Sequence, residues 1–395
     1  MRTIISAARV LTGPAGHRVD DGAVLVDGGS IAAVGPVAAI RAAAPEAREL
    51  AHPTGTIIPG LINAHVHLAF DPGPDRLARL TDDRRPEQIA LTMAGHAHEL
   101  LSSGVTTVRD LGDRHGLAIP LRDAIAAGEI AGPRVLAATA PLTPPKGHCW
   151  FLGGEVDGAE QIRAAVGRNA DAGADVIKVM VSGGSLTPGG AGMWEPQFDA
   201  STLTLIVGEA RRYGLPVAAH AHGTGSIRAC VDAGVDTIEH CTWLTGPGVF
   251  EPDEQTARDI VTAGIAVCTA NCNDWRPMAA KFGDDGAARI VGRVRWLADR
   301  GVRLIAGTDA GMAPFDNFGA ALVGFAQYGF TAEQIIELAT VTTADAIGLG
   351  SVTGRIEAGY DADIVVLAGD PLDDLTALER PELVLARGRP HRPAP

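Results

Sequence analysis

Apolar and polar positions follow two different rhythms along this chain. Over residues 1 to 57 the short runs RTIISAARVLT, GAVLVDGG and SIAAVGP alternate and are separated by glycine turns, a pattern that predicts strands. The Ala/Glu/Arg stretch PVAAIRAAAPEAREL, at 36–50, interrupts them and reads as a helix. From Ile57 onward short apolar runs alternate with amphipathic segments. The runs predict eight strands, at 57–65, 106–111, 134–139, 176–181, 216–221, 237–241, 266–271 and 303–309. Runs without polar alternation are what parallel strands buried on both faces require. Segments such as EQIALTMAGHAHELLSSG and STLTLIVGEARRYG have helical periodicity and stop at glycine. After a last helical stretch, AEQIIELATVTTADAIG, the chain returns to strands and turns in GRIEAGYDADIVVLAGD and ELVLARGRP and ends in a loose tail, RGRPHRPAP.

Strand–helix alternation of this kind predicts an α/β fold, a (β/α)8 TIM barrel. The barrel is expected over 58–351. The strand-rich ends, 1–57 and 352–395, are expected to pair into one small, discontinuous β-sandwich domain. An open doubly wound sheet is the alternative architecture, and the absence of GxGxxG after an early strand counts against it.

Composition narrows the function classes. Aromatic residues make up 4% of the 395, so Ala, Val, Leu and Ile must build the core. A net charge of -14 opposes association with nucleic acid or an anionic membrane surface. Five cysteines with no CxxC pair (Cys149, Cys230, Cys241, Cys268 and Cys272) read as reduced thiols. The N-terminus alternates like a strand, without the apolar core of a signal peptide, and no apolar run reaches membrane-spanning length. These features predict a soluble, cytoplasmic protein.

The candidate chemistry lies at predicted strand ends. His65 and His67, in IPGLINAHVHL, are two apart near the end of the first barrel strand, so both side chains point to one side and can converge on one ion. His220 (PVAAHAHG), His240 (TIEHC) and Asp309 (IAGTDAG) end three further strands. All five face the C-terminal mouth of a barrel, where such folds carry their active sites. His96 and His98 repeat the HxH spacing, but on a helix, where positions two apart do not face each other; they read as helix surface or filler. Lys178 sits inside the apolar strand DVIKVMV. It is either salt-bridged or snorkelling, or carbamylated by carbon dioxide so that the new carboxylate can bridge two metals. Arg109, in TTVRD, reads as structural, paired with Asp110 or with a neighbouring strand.

Taken in order, DGAVLVDGGSIAAVGP, PGLINAHVHL, GVTTVRDLG, IKVMVSGG, AHAHG, IEHC, GTDAG and GRIEAGYDADIVVL resemble the amidohydrolase superfamily. Within it they are similar to the imidazolonepropionase-like and Xaa-Pro dipeptidase-like (metal-dependent carboxypeptidase) branch, across essentially the whole chain. The resemblance implies two divalent metal ions. His65 and His67 would hold the more buried ion, His220 and His240 the second, and carbamylated Lys178 would bridge them. Asp309 would ligate the buried ion and act as general base on a bridging hydroxide. Zinc is the default ion for this N/O donor set, and cobalt, manganese or iron would also fit. The implied reaction is hydrolysis of an amide bond in an N-acyl amino acid, a dipeptide or a cyclic amide. The same centre could instead act on an ester or lactone, or in ring opening or dehydration. Retention of all six ligand positions argues against an inactive scaffold. Relatives commonly assemble, which implies a homo-oligomer.

Substrate contacts are expected from loops at the same face. His222, two after His220, either touches substrate or supports His220. His148, in PPKGHCWF near Lys146 and Trp150, is a substrate-binding candidate beside the plain reading of a loop histidine. Trp275 and Arg276, in TANCNDWRPMAAKFG after the seventh strand, are candidates for substrate preference. The glycines of 183–192 suggest a mobile loop over the mouth; with no GK[ST] following, they do not form a phosphate cradle.

Overall fold

The computed structural model describes residues 2–82, 84–270 and 276–393. The alternating N-terminal runs form four strands, β1 (Arg2–Leu11), β2 (Arg18–Asp27), β3 (Ser30–Pro36) and β4 (Arg48–Pro59). Alternation buries two faces at once. Ile5, Val24 and Ile57 point into one apolar core, while Ile4, Ala23 and Leu25 pack under a short helix, Val37–Ala43. That helix is shorter than the 36–50 stretch suggested, because Arg48–Leu50 pair with Thr3–Ile5 as the start of β4.

The barrel follows. Its eight parallel strands are β5 (Leu61–Val66), β6 (Val105–Asp110), β7 (Arg134–Ala137), β8 (Ile177–Met180), β9 (Val217–Gly223) and β10 (Thr237–Gly246), then, past the two-residue hairpin strand β11 (Val249–Phe250), β12 (Ala266–Cys268) and β13 (Arg303–Ile305). Ladder bonds join them in two groups, β5–β6–β7 and β8–β9–β10–β12–β13. Two seams close the ring. At one, Leu142 N–H donates to the Lys178 carbonyl (2.8 Å) and Met180 N–H to that of Leu142 (2.9 Å). At the other, Ala64 N–H donates to the Ala306 carbonyl (2.9 Å) and His67 N–H to that of Ala310 (2.8 Å).

Helices wrap the ring between successive strands, each started and stopped by local chemistry. Asp199 and Asp253 accept the N–H groups of Thr202 and Thr256 at the N-termini of Ala200–Arg212 and Glu254–Ala263. Gly234 and Gly264, both in left-handed backbone, end two of them. The stretch predicted as the last helix is broken by a π-turn at Leu338–Thr342. There Thr343 Oγ1 donates to the Leu338 carbonyl (2.6 Å) and accepts from Ala306 N–H (2.9 Å), which ties the helix to the end of β13.

The C-terminal strands β14 (Ile364–Leu367), β15 (Pro381–Ala386) and β16 (Arg389–His391) complete a seven-stranded sheet in the order β16–β15–β14–β4–β1–β2–β3. The sheet folds over so that its distant turns meet, as Ile31 N–H donates to the Tyr360 carbonyl and Ala362 N–H to that of Gly29, both at 2.8 Å. The molecule is therefore a TIM barrel with a β-sandwich made from both chain ends. One predicted strand is corrected. Residues 57–65 do not form one strand, because Ile57–Pro59 pair with β14 while Leu61 onward pairs with β6. Gly60 makes the transfer, and it must be glycine there because a Cβ would lie 2.0 Å from Thr106 Oγ1. No helix among the described residues is long and apolar enough to cross a membrane.

Candidate metal centre

Each barrel strand that ends in a chemistry-bearing residue delivers it to one mouth. His65 and His67 leave β5 with ring centroids 5.4 Å apart, as expected of alternate residues on one side of a strand. Asp309, just beyond β13, reaches across the closing seam. Its Oδ1 lies 3.4 Å from His65 Nε2 and 3.5 Å from His67 Nε2. From the other side, the His240 ring lies 5.1 Å from that of His65 and 4.7 Å from that of His220. Donor atoms of His65, His240 and Asp309 fall within 4.8 Å of one another, and so do those of His220, His222 and His240.

Backbone conformation takes part in this convergence. His240 and Asp309 both have left-handed backbone, with φ of 68° and 57°, and Thr139 and Ala270 at neighbouring strand ends share it. For non-glycine residues such conformations cost about 1–3 kcal/mol each and persist only when the surroundings enforce them. At His240 part of the enforcement is Arg293, from the helix Arg276–Asp299, whose guanidinium donates to the carbonyls of His240 and Thr269.

Lys178 Nζ is buried and has no hydrogen-bond partner among the described residues. Burial pushes its pKa down, against the pull of Glu239 and Asp309. Asp309 Oδ1 is also buried without a hydrogen-bond partner. An orphaned amine and an orphaned carboxylate oxygen in one pocket are costly unless a further group pairs with them. Burial likewise keeps the imidazoles neutral, with His67 pushed down to about 3 and His220 and His240 well below their usual range. Neutral imidazoles are metal-ready donors. The residues present therefore fit a metal centre.

The loops contribute walls. His148 is buried, its backbone N–H donates to Gln197 Oε1 (2.7 Å), and its ring lies 4.7 Å from that of His220. It packs so tightly on Gly184 that a Cβ there would sit 2.3 Å from its ring atoms. His222 stacks on His240 at 4.4 Å, and its Nδ1 lies 2.6 Å from Thr242 Oγ1. Gly183, at the start of the 183–192 stretch, is held at the centre, its N–H donating to the Glu195 carbonyl and its carbonyl lying 3.2 Å from His220 Nε2. Trp275 lies outside the described residues. Arg276 opens a helix rather than lying in a loop, and that helix kinks at Gly283. His96 and His98 stay away from the centre, His96 stacking on Phe315 and His98 meeting the His391 ring edge-on.

One residue escaped the sequence reading. Glu239, fully buried on β10, has Oε2 2.9 Å from His65 Nδ1 and accepts at Oε1 from Arg109 Nη2 (2.8 Å). Arg109 is thus tied across the barrel to β10 and, through the Ala64 carbonyl, to its neighbour β5, and not to Asp110, which instead accepts the N–H groups of Leu68 and Gly112. The signal was present: opposite charges inside two apolar strands must find each other.

Residues 56–390 match the amidohydrolase family, and residues 22–47 match a bacterial imidazolonepropionase-like composite domain. The chain belongs to the amidohydrolase family. Among curated relatives, this amidohydrolase is 28% identical to the ochratoxinase of Aspergillus niger, over 97% of its own length and 84% of that protein. Among solved structures it is similar to a Xaa-Pro dipeptidase with methionine bound in the active site (TM-score 0.87, 28% identity, 99% of this chain and 100% of that one). It is also similar to a prolidase complexed with N-methylphosphonate-L-proline (TM-score 0.84, 26% identity, 99% and 100%). The amidohydrolase is thus an enzyme, a hydrolase of carbon–nitrogen bonds. Its family is generally metal-dependent, in keeping with the ligand groups at the mouth.

Proposed function

We propose that this amidohydrolase hydrolyses the amide bond of a small carboxylate-bearing substrate, an N-acyl amino acid or dipeptide, at a centre holding two divalent ions. The observation that carries the reading is the convergence of His65, His67, His220, His240 and Asp309 on a pocket that also buries the unpartnered Lys178 amine. His65, His67 and Asp309 would hold one ion and His220 and His240 the other. Zinc suits the donor set, and the ions would supply an acidified water and a Lewis acid for the scissile carbonyl.

The chain's own groups do the rest. Lys178, whose burial favours the neutral amine, would be a nucleophile for carbon dioxide. Its nitrogen would form one bond to carbon as one proton leaves, and the resulting carbamate would replace a costly orphan amine with a carboxylate able to hold metal. Asp309, with Oδ1 free, takes a proton from the attacking water and passes it to the leaving amine. His148 and His222, beside His220, are placed to touch the substrate's carbonyl or carboxylate. Gly184, Gly192, Trp194 and Leu244 line a cavity of about 480 Å3 at the same face, which favours a substrate with an apolar side group.

We also propose that residues 58–351 form the catalytic domain, that 1–57 and 352–395 form the accessory one, and that the protein works in the cytoplasm as a homo-oligomer. The buried, unpaired Cys149, Cys230, Cys241 and Cys268 support a reducing compartment.

Metal content by elemental analysis, run beside a panel of N-acyl amino acids and dipeptides, tests the reading. Two ions per chain with turnover of a panel member is the expected result. Absence of tightly bound metal after reconstitution with zinc and bicarbonate would overturn it.

A further inference from the structure

The barrel interior below the metal centre is not purely apolar. Arg109 on β6 crosses it and bonds through each of its three nitrogens. Its Nε donates to the Ala64 carbonyl (2.9 Å), its Nη1 to Thr237 Oγ1 (3.1 Å) and its Nη2 to Glu239 Oε1 (2.8 Å). Thr237 Oγ1 in turn donates to the same Glu239 oxygen (2.7 Å). Oε1 is thus saturated from below, and Oε2 is left to face His65 Nδ1 at 2.9 Å. His65, Arg109 and Glu239 are 1%, 3% and 0% exposed, so no water competes for these contacts.

We infer that Glu239, anchored by Arg109, is the positioning residue of the metal centre: it fixes His65 as the Nδ1–H tautomer and so aims the Nε2 lone pair at the ion. The inference rests on the metal-centre reading proposed above.

Three observations carry it. First, an ionised carboxylate can only accept, so its neighbour Nδ1 must carry the proton. The lone pair then lies on Nε2, the atom that faces Asp309 at 3.4 Å. Second, the supports of two other candidate ligands are neutral carbonyls. His67 Nδ1 meets the Gly112 carbonyl at 3.1 Å, and His220 meets that of Gly183 at 3.2 Å. A carboxylate raises the basicity of its imidazole more than a neutral carbonyl does. Third, Arg109 supplies the counter-charge that makes a fully buried carboxylate tolerable. His65 is also packed from behind by Gly307, where a Cβ would sit 2.5 Å from Cys268 Sγ and 2.9 Å from His65 Cβ.

The test is zinc affinity of metal-stripped protein, measured by competition with a chromogenic chelator, for the parent and three variants. Glu239→Gln removes the charge and leaves Arg109 unpaired. Arg109→Gln/Glu239→Gln removes both charges, so that loss of affinity is not the consequence of an orphaned cation. Arg109→Gln alone keeps the carboxylate. Expected is a loss of about 10–100-fold in zinc affinity for both variants lacking the carboxylate. Arg109→Gln should keep affinity within a few-fold while melting lower. A folded double variant that binds zinc as tightly as the parent would overturn the inference.

Nitrogen-15 NMR of histidine-labelled, metal-free parent protein gives an answer independent of how the variants fold. His65, identified by its loss in a His65→Gln spectrum, is expected as the Nδ1–H tautomer, and a dominant Nε2–H tautomer would refute the role of Glu239. A parent that binds no zinc would instead remove the underlying metal-centre reading.

Discussion

His65 Nε2 and Asp309 Oδ1 lie 3.4 Å apart across the seam at which the first and last barrel strands meet. Closing the ring and bringing together the two ends of the ligand set are therefore one event. The carboxylate oxygen has no hydrogen-bond partner of its own, so its first duty is toward whatever occupies the pocket.

Asp309→Asn keeps the shape of the side chain and one ligand oxygen but cannot accept a proton. Turnover should fall by about 100-fold or more, while zinc content stays close to that of the parent. Steady-state kinetics and elemental analysis on the same preparation check both halves. Near-normal turnover would mean that the proton moves elsewhere.

Lys178→Met replaces a buried, unpartnered amine with an apolar chain of similar length. In metal-free protein this should leave the melting temperature equal or higher, since an orphaned buried polar group costs about 1–3 kcal/mol. With zinc and bicarbonate present, the parent should show a carbamate signal in carbon-13 NMR and hold two ions. The variant should lack the signal, hold fewer ions and be inactive. A variant that keeps both ions would show that no bridge is needed.

Gly184→Ala drives a methyl group into the His148 ring, 2.3 Å from its nearest atoms. The ring must shift, and a misplacement of that order can cost up to about 100-fold in catalytic efficiency. The loss should appear mainly in KM, with zinc content unchanged. An unaltered KM would remove His148 from the substrate's surroundings.

The stability of metal-free protein should rise between pH 4 and 6.5. Burial pushes His67 down to about 3 and His148 to about 4, from an ordinary 6.5, and His220 and His240 also fall well below it. Below pH 6.5 the unfolded chain binds protons that these side chains refuse, so stability drops on acidification. Asp113 behaves in the opposite way. Burial, with Asp110 beside it, raises Asp113 to about 8 from an ordinary 3.8. Its contribution is complete below pH 3.8 and is lost as the pH rises through 8. Asp110, raised to about 6 by burial, has released its proton by pH 6.5. Between pH 4 and 6.5 four histidines outweigh two aspartates; above 6.5 Asp113 gives up stability with a slope of up to about 1.4 kcal/mol per pH unit, while Lys178, pushed down by burial, opposes it. Chemical denaturation across this range checks both signs. In the Lys178→Met background stability should fall from pH 6.5 to 8 and Asp113→Asn should abolish that fall, so a Lys178→Met protein that loses no stability there would count against Asp113.

The barrel was legible because short, two-sided apolar runs leave little choice but parallel strands, and because His65, His67, His220, His240 and Asp309 all end such runs. Boundaries were less so. Nothing in the apolar content of IIPGLINAH reveals that Gly60 hands the chain from one sheet to another; the reason is steric and lies in Thr106, on a different strand. Glu239 was missed for a related reason. Beside His240 in TIEHC it looked like a neighbour of the chemistry, and only the ring of strands shows that it points down to Arg109 and across to His65. The sequence of residues 276–282 read as part of a loop, although Ala279, Ala280 and Lys281 are good helix formers, and the segment is helical.

The sandwich that joins both chain ends has a consequence for the order of synthesis. By the time Asp309 leaves the ribosome, every proposed ligand of the centre has been made. Yet β4, which runs directly into the first barrel strand, still lacks β14, whose Val365 pairs with Ile58. The nascent chain thus carries a nearly complete active site on a sheet with an open edge, the kind of edge that recruits other strands. Only the last stretch of translation covers it, so a chain cut short before β14 would hold the proposed ligands and leave that edge open to aggregation.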